Sequence, residues 1–113
     1  MASVVIVRVE TPEGNAVRGG DPVTVSVTID PSDTGWFDDK KDLVIGFVYA
    51  ANLAITAHLK VHGSITIIDN ITITFKVSAK ADALLGEYYV IIKNTKLNEI
   101  VISDSNVGTI TVS

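Results

Sequence analysis

The sequence contains no cysteine and few basic residues, and each shortage excludes a class of function. Without cysteine the chain has no disulfide, no thiolate metal site and no cysteine nucleophile, so its fold must depend on packing. Nine Lys and Arg residues are outnumbered by thirteen Asp and Glu residues, and the formal net charge is -4. Because no basic patch is available to neutralise phosphates, we expect no nucleic-acid partner and no binding to an anionic membrane.

We also expect neither a leader peptide nor a full-length membrane span from this sequence. Arg8 interrupts the N-terminal apolar run too early for a secretion signal, so we predict no signal peptide in this chain. Residues 43–59 carry no charge, but these 17 positions are short of a span and include Asn52 and His58. We therefore expect no membrane insertion, and either a cytosolic protein or a piece of a longer secreted one.

Val, Ile and Thr dominate the sequence instead, and hydrophobic residues make up 47% of its 113 positions. These stiff, branched side chains favour pleated strands over helices. A chain of this length and hydrophobicity can bury a core without metals or disulfides. We therefore expect one all-β domain over residues 1–113.

Apolar and polar residues alternate in short segments, which is the pattern of strands with one buried face. The clearest example is residues 23–30, and residues 4–9 and 53–62 show the same alternation. The predicted inward side chains are Val23, Val25, Val27 and Ile29 in the first, Val5, Val7 and Val9 in the second, and Leu53, Ile55, Ala57, Leu59 and Val61 in the third. Residues 43–50 are apolar on both faces, so we expect both faces of that strand to be covered.

Eight or nine such segments follow one another along the chain, separated by turn residues and without a helical period. Short strands at this spacing are typical of sandwiches. The sequence therefore predicts an all-β protein with a two-sheet antiparallel β-sandwich and Greek-key connections.

The stretch at residues 82–94 carries a family resemblance. Asp82, Gly86 and Tyr88 resemble the corner of immunoglobulin-like sandwiches, in which a tyrosine hydroxyl bonds to nearby backbone, and Val90 stands where antibody domains place a cysteine. The chain resembles more specifically the CARDB family, a cell-adhesion-related module of bacterial and archaeal surface proteins. The matching segments are GDPVTVSVTI at 20–29, ITITF at 71–75, GEYYV at 86–90, NEIV at 98–101 and GTITV at 108–112. The resemblance implies an immunoglobulin-like, non-catalytic surface module and carries over no ligand.

The polar connection at residues 31–42 holds two large aromatic side chains, Trp36 and Phe37. Rings of this size at the tip of a polar loop are costly unless they cover something. Two interpretations remain open: the rings fold back as a lid over one end of the sandwich, or they contact a partner. The candidate contact residues are Trp36, Phe37, Asp38 and Asp39, because loops held by a rigid body often present binding surfaces.

Two groups of side chains invite a metal interpretation. The acidic residues of the same connection are Asp33, Asp38, Asp39 and Asp42. They are candidate calcium ligands, although Lys40 and Lys41 lie among them and a solvated turn is the simpler interpretation. His58 and His62 are four residues apart, which on a strand is about 13 Å and too far for one ion. We expect both histidines to lie on a solvated strand face.

The leading functional prediction is a non-catalytic module for adhesion, spacing or protein–protein interaction, located at the cell surface or outside the cell as a domain of a larger secreted protein. Its expected partners are other proteins or neighbouring domains, and no cofactor is expected. One alternative is a self-assembling subunit of a filament or virion that associates through edge strands. Another is a small calcium- or carbohydrate-binding domain appended to an enzyme.

Overall fold

The computed structural model describes residues 4–30 and 35–113. Within these ranges the chain forms nine β-strands and one 3-10 turn, Lys40–Asp42. The strands are β1 (Val5–Glu10), β2 (Val23–Asp30), β3 (Leu43–Tyr49), β4 (Ala54–Thr56), β5 (Leu59–Ile67), β6 (Thr72–Ala79), β7 (Gly86–Asn94), β8 (Glu99–Ile102) and β9 (Ile110–Val112). None of the described residues belongs to a helix long and apolar enough to cross a membrane.

The strands form two antiparallel sheets that pack face to face. One has the order β1-β2-β6-β5, and the other has the order β4-β3-β7-β8 with β9 also paired to β7. β7 accepts two strands on one edge because β8 pairs with its second half and β9 with its first half. The all-β sandwich predicted from the sequence is confirmed.

The core lies between the sheets and is built by strict alternation on the central strands. On β2 and β6 the buried side chains are Val25, Val27, Ile29, Ile73, Phe75 and Val77, and on β7 they are Tyr88, Val90 and Ile92. Each large aliphatic or aromatic side chain removed from water stabilises the fold by roughly 1.5–3 kcal/mol. Among the described residues every buried polar side-chain atom has a hydrogen-bond partner.

The segment after β1 closes one side of the sandwich. Ala16 forms a parallel bridge to Val112 of β9, and Arg18 forms one to Ala79 at the end of β6. This short piece of backbone therefore joins β9 of one sheet to the end of β6 in the other. Near it, the Val9 amide donates to the Val107 carbonyl at 2.8 Å, which ties β1 to the approach to β9.

The predicted inward set of β1 is wrong for two of its three residues. Val5 and Val7 are 58% and 43% exposed, whereas Val4, Ile6 and Val9 are buried. The register against β2 shifts between Ile6 and Arg8. A bulge there adds one residue to β1 and exchanges the inward and outward positions along the strand.

Residues 53–62 are not one strand, as the alternation predicted, but two strands in different sheets. β4 pairs with β3, and β5 pairs with β6 after a break at residues 57–58. Leu53 adopts a positive φ of 57° in the turn that precedes β4. Leu53, Ile55 and Ala57 are exposed, while Leu59 is buried and Val61 packs against the core as predicted.

The corner before β7 is held by two tyrosines. Tyr88 donates its hydroxyl to the Leu84 carbonyl at 2.7 Å, the local bond expected from the immunoglobulin-like resemblance. Tyr49, directly opposite on β3, donates to the Leu85 carbonyl at 2.6 Å, and the two ring centroids are 5.0 Å apart. The φ of Gly86 is +126°, a conformation that L side chains rarely adopt. Sequence reasoning identified Tyr88 but missed Tyr49, whose bond depends on strand pairing.

Replacing Tyr88 with Phe should lower the free energy of unfolding by about 1 kcal/mol, because the hydroxyl bond to Leu84 is lost inside the core. Burial, followed by the nearby Tyr49, raises the pKa of Tyr88 above its ordinary value. The stability that this shift provides is complete below about pH 10 and is lost as the pH rises through the raised pKa. Urea unfolding at pH 7 and at alkaline pH measures both effects.

The matched control is Tyr89→Phe, because Tyr89 is its neighbour on the outward face of β7 and its hydroxyl bonds to none of the described residues. That variant should keep the wild-type free energy of unfolding at pH 7 and the same loss of stability at alkaline pH. Equal losses in the two variants would show that the corner bond contributes nothing.

Candidate interaction surfaces

The outer face of the five-stranded sheet is apolar. We call the apolar face the side chains around Gly46 that point away from the core on β3, β4, β7 and β8. They are Val44, Val48, Ile55, Tyr89, Ile91, Ile100 and Ile102. The register aligns them in two rows, Ile55–Val48–Tyr89 and Gly46–Ile91–Ile102, and places Val44 and Ile100 on either side of Lys93.

Much of this surface is open to solvent. Ile55, Ile100, Ile102 and Val44 are 79%, 59%, 57% and 54% exposed, respectively, while Val48 is buried beneath its neighbours. The prediction that both faces of β3 are covered is therefore wrong at Val44. Large contiguous patches of exposed apolar side chains are more common at contact sites than elsewhere on folded proteins, whereas single ones are ordinary.

The outer face of the four-stranded sheet is mainly polar. Apart from the exposed Val5 and Val7 on the edge strand β1, its outward side chains include Thr24, Ser26 and Thr28 on β2, Thr72, Thr74, Lys76 and Ser78 on β6, and Lys60 and His62 on β5. An antiparallel sheet with one wet face normally shows this alternation of apolar and polar residues. The two sheets thus share one core but differ in the chemistry of their outer faces. The apolar face departs from the usual pattern of a polar outer face.

The Trp36–Phe37 pair occupies the lid position. Both rings are buried, at 0% and 1% exposure, and meet edge to face with centroids 6.3 Å apart. The Trp36 indole donates to Glu99 Oε1 at 2.8 Å. The backbone carbonyl of Trp36 accepts from Asn94 Nδ2 at 2.7 Å. The rings therefore cover one end of the core, while Asp38 and Asp39 remain exposed beside them. Partner contact through this loop stays a prediction.

One acidic residue of the same loop, Asp39, is engaged with Lys41. Asp39 Oδ1 accepts from the Lys41 amide at 3.0 Å, and its other oxygen lies 3.9 Å from Lys41 Nζ. Asp33 lies outside the described residues, and among the described ones no three His, Asp or Glu side chains come together as metal ligands. The calcium alternative stays untested by this geometry.

The two histidines lie in different environments. His62 faces outward on β5, as predicted, and its Nε2 contacts Ser78 Oγ on β6. His58 is in the break before β5, and its Nδ1 lies 3.4 Å from the Tyr88 hydroxyl, so its predicted place on a solvated strand face is wrong. A Ser–His contact is one element of a nucleophilic site. Here it lies on an open sheet face, and no described carboxylate bonds the second ring nitrogen of His62.

A shallow groove runs where the two sheets separate, between β3 and β5. The groove has a volume of about 410 Å³ and is lined by Leu43, Val44, Ile45, Val61 and Ile65, together with Lys40 and Lys41. Aliphatic side chains dominate this lining. The groove extends the apolar surface of β3 toward the open edge of the four-stranded sheet. Sequence reasoning missed this groove, because the alternation was wrongly continued across residues 53–62.

No protein-family model matches the chain, and no curated protein matches it.

Proposed function

We propose that this chain is a non-catalytic protein-interaction module, in which a rigid immunoglobulin-like β-sandwich presents the apolar face to another protein. The observation that carries the proposal is the difference between the two outer faces, because folding requires each sheet to be apolar only on its inner side. Four exposed aliphatic side chains at the centre and edges of one face, Val44, Ile55, Ile100 and Ile102, have no role in the core.

The immunoglobulin-like assignment is supported by the strand order and by the Tyr88 corner. Constant-type immunoglobulin domains place their first, second, fifth and fourth strands in one sheet and the third, sixth and seventh in the other. Here β1-β2-β6-β5 corresponds to the first sheet and β3-β7-β8 to the second, with β4 as an added edge strand. With the CARDB resemblance, this order favours a role in adhesion or spacing within a larger extracellular protein.

A self-assembling structural subunit is the second candidate, and the apolar face favours it as well. The edges of the two sheets give less support to the self-assembling subunit. β4 has three residues, β5 has an irregular register between His62 and Thr66, and β1 is covered on its second edge by the bond from Val9 to Val107. Short, bulged and covered edges are common protections against strand addition. Association through the sheet edges stays a prediction. The apolar face is a better surface for self-association than any of these edges.

The proposal is tested by removing the apolar character of the face without touching the core. The triple variant Val44→Thr, Ile100→Thr and Ile102→Thr should keep its free energy of unfolding within about 0.5 kcal/mol per site, because Thr suits strands and these side chains are exposed. Denaturant unfolding at low protein concentration measures this. A loss of several kcal/mol would show that the fold itself requires these residues, and the proposal would lose its support.

The matched control is Val27→Thr, which introduces the same hydroxyl on the inner face at a position with 0% exposure. Burying an unpaired hydroxyl there should cost about 1–3 kcal/mol. The contrast between the two variants shows that the assay detects a real change in packing.

A further inference from the structure

We propose that the apolar face binds a second copy of this chain, with the two β7 strands stacked face to face and antiparallel. The proposal deepens the interaction role given above by naming the partner. It can fail separately, because a chain that never dimerises can still be a module for a different protein.

The charges on β7 identify the partner. The four outward residues of β7 are Glu87, Tyr89, Ile91 and Lys93, so an acid and a base lie at opposite ends of an apolar centre. Neither charged side chain forms an ion pair with a described residue. Such an arrangement is complementary to its own reversed copy.

Symmetry leaves two arrangements in which the β7 strands of the two copies are aligned, and the charges distinguish them. Two identical faces meet through a two-fold axis that lies between them. If that axis crosses β7 at a right angle near Val90, Glu87 of each copy faces Lys93 of the other and Tyr89 faces Ile91. If the axis runs along β7, Glu87 faces Glu87 and Lys93 faces Lys93, which costs free energy. The antiparallel stack is therefore favoured.

The size of the face sets the expected strength. Four strands about 4.8 Å apart and the seven residues from Glu87 to Lys93 give a surface of about 19 by 20 Å. That is about 380 Å² on each copy and about 760 Å² in total, below the range of stable specific interfaces and within that of weak, transient contacts. Stacked sheets with interdigitated aliphatic side chains are a normal packing, so we expect a dimer in equilibrium with monomer at micromolar or higher concentrations.

Sedimentation equilibrium from low micromolar to millimolar concentration tests the dimer. The wild type should show a concentration-dependent monomer–dimer equilibrium, and Ile102→Glu should weaken it at least about thirtyfold, because symmetry places two buried charges in the interface. The matched control is Ile68→Glu, because Ile68 lies in the turn before β6 and has the same exposure of 57%. It should leave the equilibrium unchanged.

The charge reversal tests the orientation. Glu87→Lys and Lys93→Glu should each weaken the dimer about fivefold, since symmetry repeats each repulsion, and the double variant should restore wild-type affinity. A wild type that stays monomeric at millimolar concentration overturns the proposal and indicates that another protein covers the face. Equal effects of Ile102→Glu and Ile68→Glu would place the contact elsewhere, and a double variant as weak as the single ones would overturn the antiparallel arrangement.

Discussion

Trp36→Ala is expected to lower the free energy of unfolding by about 3–5 kcal/mol, which is a large share of the stability of a domain of this size. The side chain is 0% exposed, so its removal leaves a cavity beneath the loop before β3. The change also removes the indole bond to Glu99 and the edge-to-face contact with Phe37. Guanidinium unfolding followed by circular dichroism measures the loss.

Two control variants separate the ring from its surroundings. Glu99→Gln keeps an acceptor for the indole and should cost less than about 1 kcal/mol. Leu53→Ala removes a large aliphatic side chain that is 69% exposed, and it should change stability by less than about 0.5 kcal/mol. If Trp36→Ala were as mild as Leu53→Ala, the ring would not be a lid, and partner contact would become the better interpretation.

Gly108→Ala is expected to destabilise the fold by about 3–5 kcal/mol, because it combines a backbone that L side chains rarely adopt with a direct collision. The φ of Gly108 is +116°, and a β-carbon there would collide with the carbonyl oxygen of Val9. The collision would separate β1 from the segment that leads into β9, where Val9 bonds to Val107. Thermal unfolding of the purified variant measures the loss.

The control for this variant is Gly14→Ala. Gly14 has a similar φ of +100°, but a β-carbon there meets no atom within 4 Å. It should cost only the backbone strain, about 1–2 kcal/mol. The difference between the two variants isolates the close approach of β1 to residue 108. Similar losses in both would show that this approach is not rigid.

Sequence reasoning predicted the parts of the fold in which apolar and polar residues alternate strictly and one face of the strand is buried. The strands β2 and β6 follow this rule, and three of the four inward residues predicted for β2, Val25, Val27 and Ile29, are fully buried. The Tyr88 corner was also predictable, because its bond to Leu84 spans only four residues. Local patterns carry this information directly.

The errors arose where alternation continued through a change in geometry. In β1 a bulge after Ile6 moved Val7 to the surface. In residues 53–62 apolar residues occupy every odd position, although the chain passes from one sheet to the other between β4 and β5. Ile55 therefore faces solvent while Leu59 faces the core. A two-residue period describes a strand but does not say which sheet it joins or where an extra residue lies.

The apolar face was only partly visible in the sequence. The two apolar sides of β3 were recognised, but the face also needs Ile91, Ile100 and Ile102, which come together through the pairing of β3, β7 and β8. An apolar residue on the outer side of a strand does not reveal whether another element of the same chain covers it. The burial of Trp36 was likewise left open, because it depends on Glu99 and Asn94, which are distant in sequence.

The most direct test of the apolar face as the contact surface is a dilution series followed by methyl NMR of the Ile and Val side chains. We predict concentration-dependent shifts for Val44, Ile91, Ile100 and Ile102, with no change for Ile68 in the turn before β6. Shifts confined to β5 or to the outer side of β2 and β6, or the absence of any shift up to millimolar concentration, would contradict the account.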